Sequence, residues 1–150
     1  MALKQETEMG PSELDEFLAS HETGVLSLAR GGEPYAIPIS YGYDGDDQTF
    51  FLRLVSTPES EKRQFLATSP RARLVVYDEA DDTYRSVVAV GALETVPREE
   101  LTVDRIEQYG HSKRPLFEIW AEGKADLDIE LYEFRPAQLS GRRVEIEREA

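Results

Sequence analysis

Between Gly24 and Glu94 the sequence breaks into short runs of alternating or β-branched residues, each ended by a turn signal. That punctuation restricts the chain to an antiparallel β architecture. Gly24-Val25-Leu26-Ser27-Leu28 is the first run, closed by Arg30-Gly31-Gly32-Glu33. Residues 35–43 form a second, interrupted by Pro38, and Asp44-Gly45-Asp46-Asp47 follows with an Asp-Gly hairpin signal. Residues 49–54, 72–77 and 84–94 give three more, with an acidic turn over 78–82. A helix is expected over residues 57–68, with Thr57 as cap and Pro58 in its first turn, stopping before Pro70.

The flanks are less regular. Residues 1–10 are polar and are expected to fray. A helix starts near Pro11, with Ser12 as its cap, Asp15 three residues on, and Leu14, Phe17 and Leu18 on one face. After Pro97 the pattern turns helical through Leu101, Ile106 and Tyr109, then Leu116, Phe117, Ile119 and Trp120. Residues 128–134 alternate as a sixth strand, and residues 144–146 suggest a short final one. With 150 residues, no repeat and no linker, the reading is one domain over 11–147 behind a flexible N-terminus. Its class is mainly β (α+β): a small six- to seven-stranded antiparallel barrel with flanking helices.

Charge and composition exclude several functions. Thirty acidic against 17 basic residues leave a net charge of −13, so nucleic acid is not an expected partner. Only four of the 17 cations are lysines, at Lys4, Lys62, Lys113 and Lys124. Few lysines and many carboxylates suit concentrated salt, where self-repulsion is screened; an ordinary acidic bacterial protein is the alternative. The absence of cysteine excludes disulfides, thiol redox chemistry and zinc–thiolate sites. No apolar run approaches the length of a membrane span, and residues 1–8 lack an apolar leader segment, so a cytoplasmic location is expected.

Two features stand out against that background. Residues 53–85 hold six cations and six acids, and four of the acids fall in one turn. Arg53, Lys62, Arg63, Arg71, Arg73 and Arg85 could therefore gather round an anion, a hydroxyl such as Ser60 assisting. Pairing of Lys62 and Arg63 with Glu59 on a solvated helix face explains the same residues without a ligand. Pro38 cannot donate to a ladder, so it marks either an ordinary sheet edge or a strand whose backbone meets a ligand. His21 and His111 have no partner at metal-ligand spacing. Trp120, at helical spacing from Leu116 and Phe117, reads as core or dimer contact, or as a cofactor wall.

In order, these segments resemble the pyridoxamine 5′-phosphate oxidase-like family of flavin-binding split barrels. The likeness runs through Phe17-Leu18-Ala19-Ser20-His21 to Leu28, then Gly32-Glu33-Pro34-Tyr35-Ala36-Ile37-Pro38-Ile39-Ser40-Tyr41, then Phe50-Phe51-Leu52-Arg53. It continues through Ser60-Glu61-Lys62-Arg63-Gln64-Phe65-Leu66, Ser69-Pro70-Arg71-Ala72, Tyr84-Arg85-Ser86-Val87-Val88-Ala89-Val90-Gly91 and Leu131-Tyr132-Glu133-Phe134-Arg135-Pro136. It implies a split barrel binding FMN. Arg53, Ser60, Lys62, Arg63 and Arg85 would lie at the phosphate, and Pro38, Ile39, Ser40, Tyr41 and Ser86 at the ring. A homodimer with flavin at its interface is implied, where Trp120 could come from the partner chain. The implied activity is that of an oxidoreductase exchanging hydride at flavin N5 with a small-molecule substrate or a nicotinamide donor. A non-catalytic flavin carrier, or a split barrel using F420 or haem, is the alternative. Tyr41 and Tyr43 are candidate proton donors, core tyrosines being the simpler reading. The Arg-x-His element of true pyridoxamine-phosphate oxidases is missing from Ser140-Gly141-Arg142-Arg143-Val144, so the resemblance does not extend to the vitamin B6 reaction.

Overall fold

Two-residue turns set two of the three described hairpins. Gly31 and Gly32 have φ of 54° and 84°, and Asp81 and Asp82 have 52° and 61°. Positive φ at both central residues gives the turn whose twist matches the strands on either side. A computed structural model describes residues 2–56, 64–66, 71–97 and 128–147. Its elements are β1 (Ala2–Glu8), α1 (Pro11–Ser20), β2 (Thr23–Arg30), β3 (Glu33–Asp44), β4 (Thr49–Ser56), β5 (Arg71–Ala80), β6 (Thr83–Thr95) and β7 (Asp128–Glu147). Of the helix expected over 57–68, residues 64–66 are helical and the rest lies outside the described residues, as do the segments 101–127 that carry Trp120.

The strands run β1-β7-β4-β3-β2-β5-β6, and a further β6–β7 ladder closes the sheet into an antiparallel split barrel. Even-numbered residues of β2, β4 and β5 and odd-numbered residues of β3 and β6 point inward, as do Tyr132 and Phe134 of β7 and, past an extra residue in that strand, Leu139. Leu26, Leu52, Leu74, Val76, Val87, Phe50 and Phe134 fill the interior. α1 caps one end of it, burying Leu14, Phe17 and Leu18 as its apolar spacing requires. Phe51 and Val96 form a small second cluster outside, against Leu131. No described helix is long and apolar enough to cross a membrane.

Three local expectations change. Ser12 does not cap α1: Gly10 occupies the cap without a side-chain hydrogen bond, and Pro11 takes the first helical position, where a missing N–H is harmless. Residues 1–10 are not merely a loose end, because Ala2–Glu8 pairs with β7 from Ala2↔Glu147 to Glu8↔Arg142. Polar strand residues give little sequence signal there; Arg142 pairs with Glu6 and Arg143 with Glu13 at 2.6 Å. The two late strands are one, β7, 20 residues long.

Pro136 and Gly91 explain how β7 stays continuous. The β6–β7 register shifts between Val90↔Gln138 and Gly91↔Pro136, leaving an extra residue on β7. Proline is tolerated at such a bulge. A Cβ on Gly91 would meet the Arg135 carbonyl at 2.7 Å and Pro136 Cα at 2.9 Å, both backbone atoms. A Cβ on Gly141 would meet mainly the flexible ends of Leu14 and Met9. Gly91→Ala is expected to destabilise the fold by about 1–3 kcal/mol and Gly141→Ala by less, read as thermal or urea midpoints; equal losses would contradict the bulge as the tighter contact.

Candidate functional site

β3 and β4 pair only from Tyr41↔Leu52 to Asp44↔Thr49. Beyond Tyr41↔Leu52 the two strands part. β3 continues along β2 as far as Glu33↔Arg30, while β4 continues along β7 as far as Ser56↔Asp128. Arg53 and Ser40 are the first residues past the last pair, one on each lip of the opening. Tyr41 N–H donates to the Glu22 carbonyl at 2.9 Å. Antiparallel alternation then turns Ile39 and Ile37 toward β2 and places Pro38 where an N–H would point the other way. Pro38 therefore removes no β2–β3 hydrogen bond, which is why it survives inside a 12-residue strand.

Side-chain direction divides the expected site residues. Pro38 is exposed, Ser40 is buried on the same outward row, and Arg53 is half-buried on β4. Among the described residues Arg53 has no acidic partner, unlike Arg85, Arg135, Arg142 and Arg143. Ser86 faces outward from β6, in register with Tyr77 and Arg142. Ile39 and Tyr41 point into the core, so only their backbones can meet a ligand outside the barrel. Tyr41 donates its hydroxyl to the Leu18 carbonyl at 2.8 Å, and Tyr43 donates to Asp15 Oδ1 at 2.6 Å. Burial, with the Glu22 charge, pushes the Tyr41 phenol well above its ordinary 10. Burial and the bond to Asp15 do the same for Tyr43. Both stay protonated, as core tyrosines. Ser60, Lys62, Arg63 and Trp120 lie outside the described residues.

Arg85 sits elsewhere. Its Nε and Nη2 reach Asp78 Oδ1 and Oδ2 at 3.1 and 2.6 Å, and its guanidinium lies 4.9 Å above the Phe17 ring. His21 Nε2 approaches the same Asp78 Oδ2 at 2.9 Å, and His21 Nδ1 the Phe17 carbonyl at 2.7 Å. This cluster fastens the C-terminal end of α1 to β5 and β6, close to a cavity of about 240 Å³ lined by His21, Glu22, Tyr41 and Tyr43. Sequence spacing gave no hint of it, since Asp78 lies 57 residues from His21. The Asp78–Arg85 half is legible only once the hairpin register is known.

A family model described as pyridoxamine 5′-phosphate oxidase matches residues 11–143. The chain belongs to that family. No curated protein matches it. Solved structures place the same fold on family-sized chains. A candidate pyridoxamine 5′-phosphate oxidase from Corynebacterium glutamicum is 18% identical, with a TM-score of 0.71 over 97% of this chain and 98% of its own. A protein from Mesorhizobium loti described as FAD-binding is 20% identical, with a TM-score of 0.72 over 97% and 100%. A haem-binding protein from Mycobacterium smegmatis is 15% identical, with a TM-score of 0.62 over 89% of this chain and 54% of its own. At these identities the likeness establishes the split barrel that the family shares.

Burial alone would raise the Asp78 carboxyl, but hydrogen bonds from Arg85 and His21 and their charges outweigh it and hold Asp78 below its ordinary 3.8. A lowered folded pKa contributes stability that is complete above the unfolded value and disappears as pH falls through the folded one. Asp78→Asn should therefore lower stability by about 1–3 kcal/mol at neutral pH, and the gap to wild type should close below about pH 4. A melting-temperature profile against pH checks this; a gap that stays constant into acid would contradict it.

Proposed function

We propose that this chain is an FMN-binding flavoprotein acting as an oxidoreductase, with the flavin seated where β3 parts from β4. The observation that carries the reading is that opening, with a cationic side chain, Arg53, on one lip and Pro38 and Ser40 on the other. A flavin phosphate needs charge-assisted donors, and Arg53 is a guanidinium with no acidic partner among the described residues. Among the described residues Arg53 is a donor of the kind that group requires. Ser60, Lys62 and Arg63 are the further phosphate ligands that the family resemblance implies, and backbone groups over residues 38–41 the ring contacts.

When bound, FMN supplies the hydride-exchanging centre at N5. The chain's own part is to hold the phosphate through Arg53 and Lys62, to line the ring with the backbone of β3, and to keep Tyr41 and Tyr43 protonated within the core. Arg85 is left out of the phosphate set, because Asp78 occupies its guanidinium.

A homodimer follows from the same residues. β4 and β6 both flank β7, but Arg53 is in register with Leu131 and Ser86 with Arg142, near opposite ends of that strand; a single flavin touching both would need a second copy. Half-buried Val25, Val75 and Val88, side by side on the outer face, offer an apolar strip for that contact.

The Mesorhizobium loti neighbour supports a flavin of some kind. The haem-binding neighbour raises the other possibility, but His21, the one histidine among the described residues, has both ring nitrogens against acceptors and offers no free axial ligand. F420, with a polyglutamyl tail, would be repelled by a chain of charge −13.

The test is the visible spectrum of the purified protein, the mass of the released chromophore, and its bleaching by NADH or NADPH without oxygen. Two flavin bands, the mass of FMN and bleaching with turnover are expected. Arg53→Ala with Lys62→Ala should release most of the flavin at equal salt. Full occupancy in that double variant would overturn the site, a FAD mass would replace FMN, and flavin that no donor reduces would favour a carrier.

A further inference from the structure

Arg71 and Arg73 stand on the outward row of β5. With Ser27, Ala29 and Val90 they line a cavity of about 250 Å³. The ladders fix this neighbourhood: Ser27 is in register with Arg73, and Arg73 with Val90, while Arg71 faces Ala92. Both arginines are exposed, and among the described residues neither has an acidic partner. Ala36 on β3 and Gln138 on β7 continue the row of Arg73 on either side. No carboxylate occupies that row, from Ala36 through Ser27, Arg73 and Val90 to Gln138.

In this chain such a patch is unusual. One residue in five is acidic, 30 of 150, and Arg85, Arg135, Arg142 and Arg143 are each met by a carboxylate. Two guanidinium groups on positions two apart on a strand, roughly 7 Å between Cα atoms, repel one another unless an anion lies between them. Paired guanidinium forks suit the oxygens of a phosphate or carboxylate, and a serine hydroxyl adds a neutral donor. The volume lies just under the range of small-molecule sites, which suits an oxyanion with a few attached heavy atoms.

We propose that this cavity binds the phosphate or carboxylate group of a small metabolite, gripped by Arg71 and Arg73 with Ser27 as a third donor. The site is separate from the flavin residues named above, and it stands whether or not a flavin binds.

The test is isothermal titration of the full chain, as purified, with inorganic phosphate and separately with succinate, at low ionic strength because salt screens exposed charge. Saturable binding of at least one probe is expected. Arg71→Gln and Arg73→Gln should each weaken it about tenfold or more, with the visible spectrum and circular dichroism unchanged. Ser27→Ala, which keeps both charges, should weaken it by a smaller factor. Binding of phosphate alone identifies a phosphorylated ligand, and binding of succinate alone a carboxylate. Absence of saturable binding by both probes, or equal binding in wild type and the double arginine variant, overturns the proposal.

Discussion

Everything in this barrel hangs on one strand shared among three ladders. β7 pairs with β4 over its first residues, with β1 over its last, and with β6 along most of its length. That arrangement closes the sheet, since β6 would otherwise be an open edge. It also draws β4 toward β7 just where β4 leaves β3. The opening that defines the candidate site is therefore a consequence of barrel closure. A bulge opposite Gly91 lets β7 pass Pro136 without losing its partner, and α1 seals the end with Phe17 and Leu18.

The hairpins were legible because their turns are chemical. Gly31-Gly32 and Asp81-Asp82 accept positive φ, and each central strand lies within a few residues of its expected bounds. β1 was not legible: its sequence alternates nothing apolar, and its edge exists only because β7 reaches past β4. The continuity of β7 was hidden by Pro136 and Gly141, residues that ordinarily end strands and here occupy a bulge and a close approach.

The candidate site divides along the same line. Pro38 carried a physical signal, and the ladders explain it as a residue at the edge where β3 leaves β4. The family resemblance singled out Arg53, and the register places it opposite that edge. Arg85 read as one more cation near a phosphate, because sequence does not reveal that Asp78 and His21 lie beside it. In a chain of charge −13, the informative cations are those that no carboxylate meets.

Amide hydrogen exchange with and without added FMN tests the central claim most directly, because it reads the opening itself. Seating at the split predicts protection concentrated at residues 39–41 and 52–54, on the two lips, with α1 and the β5–β6 turn unchanged. FMN that leaves those two segments as they were, whether it protects another face or none, would contradict it.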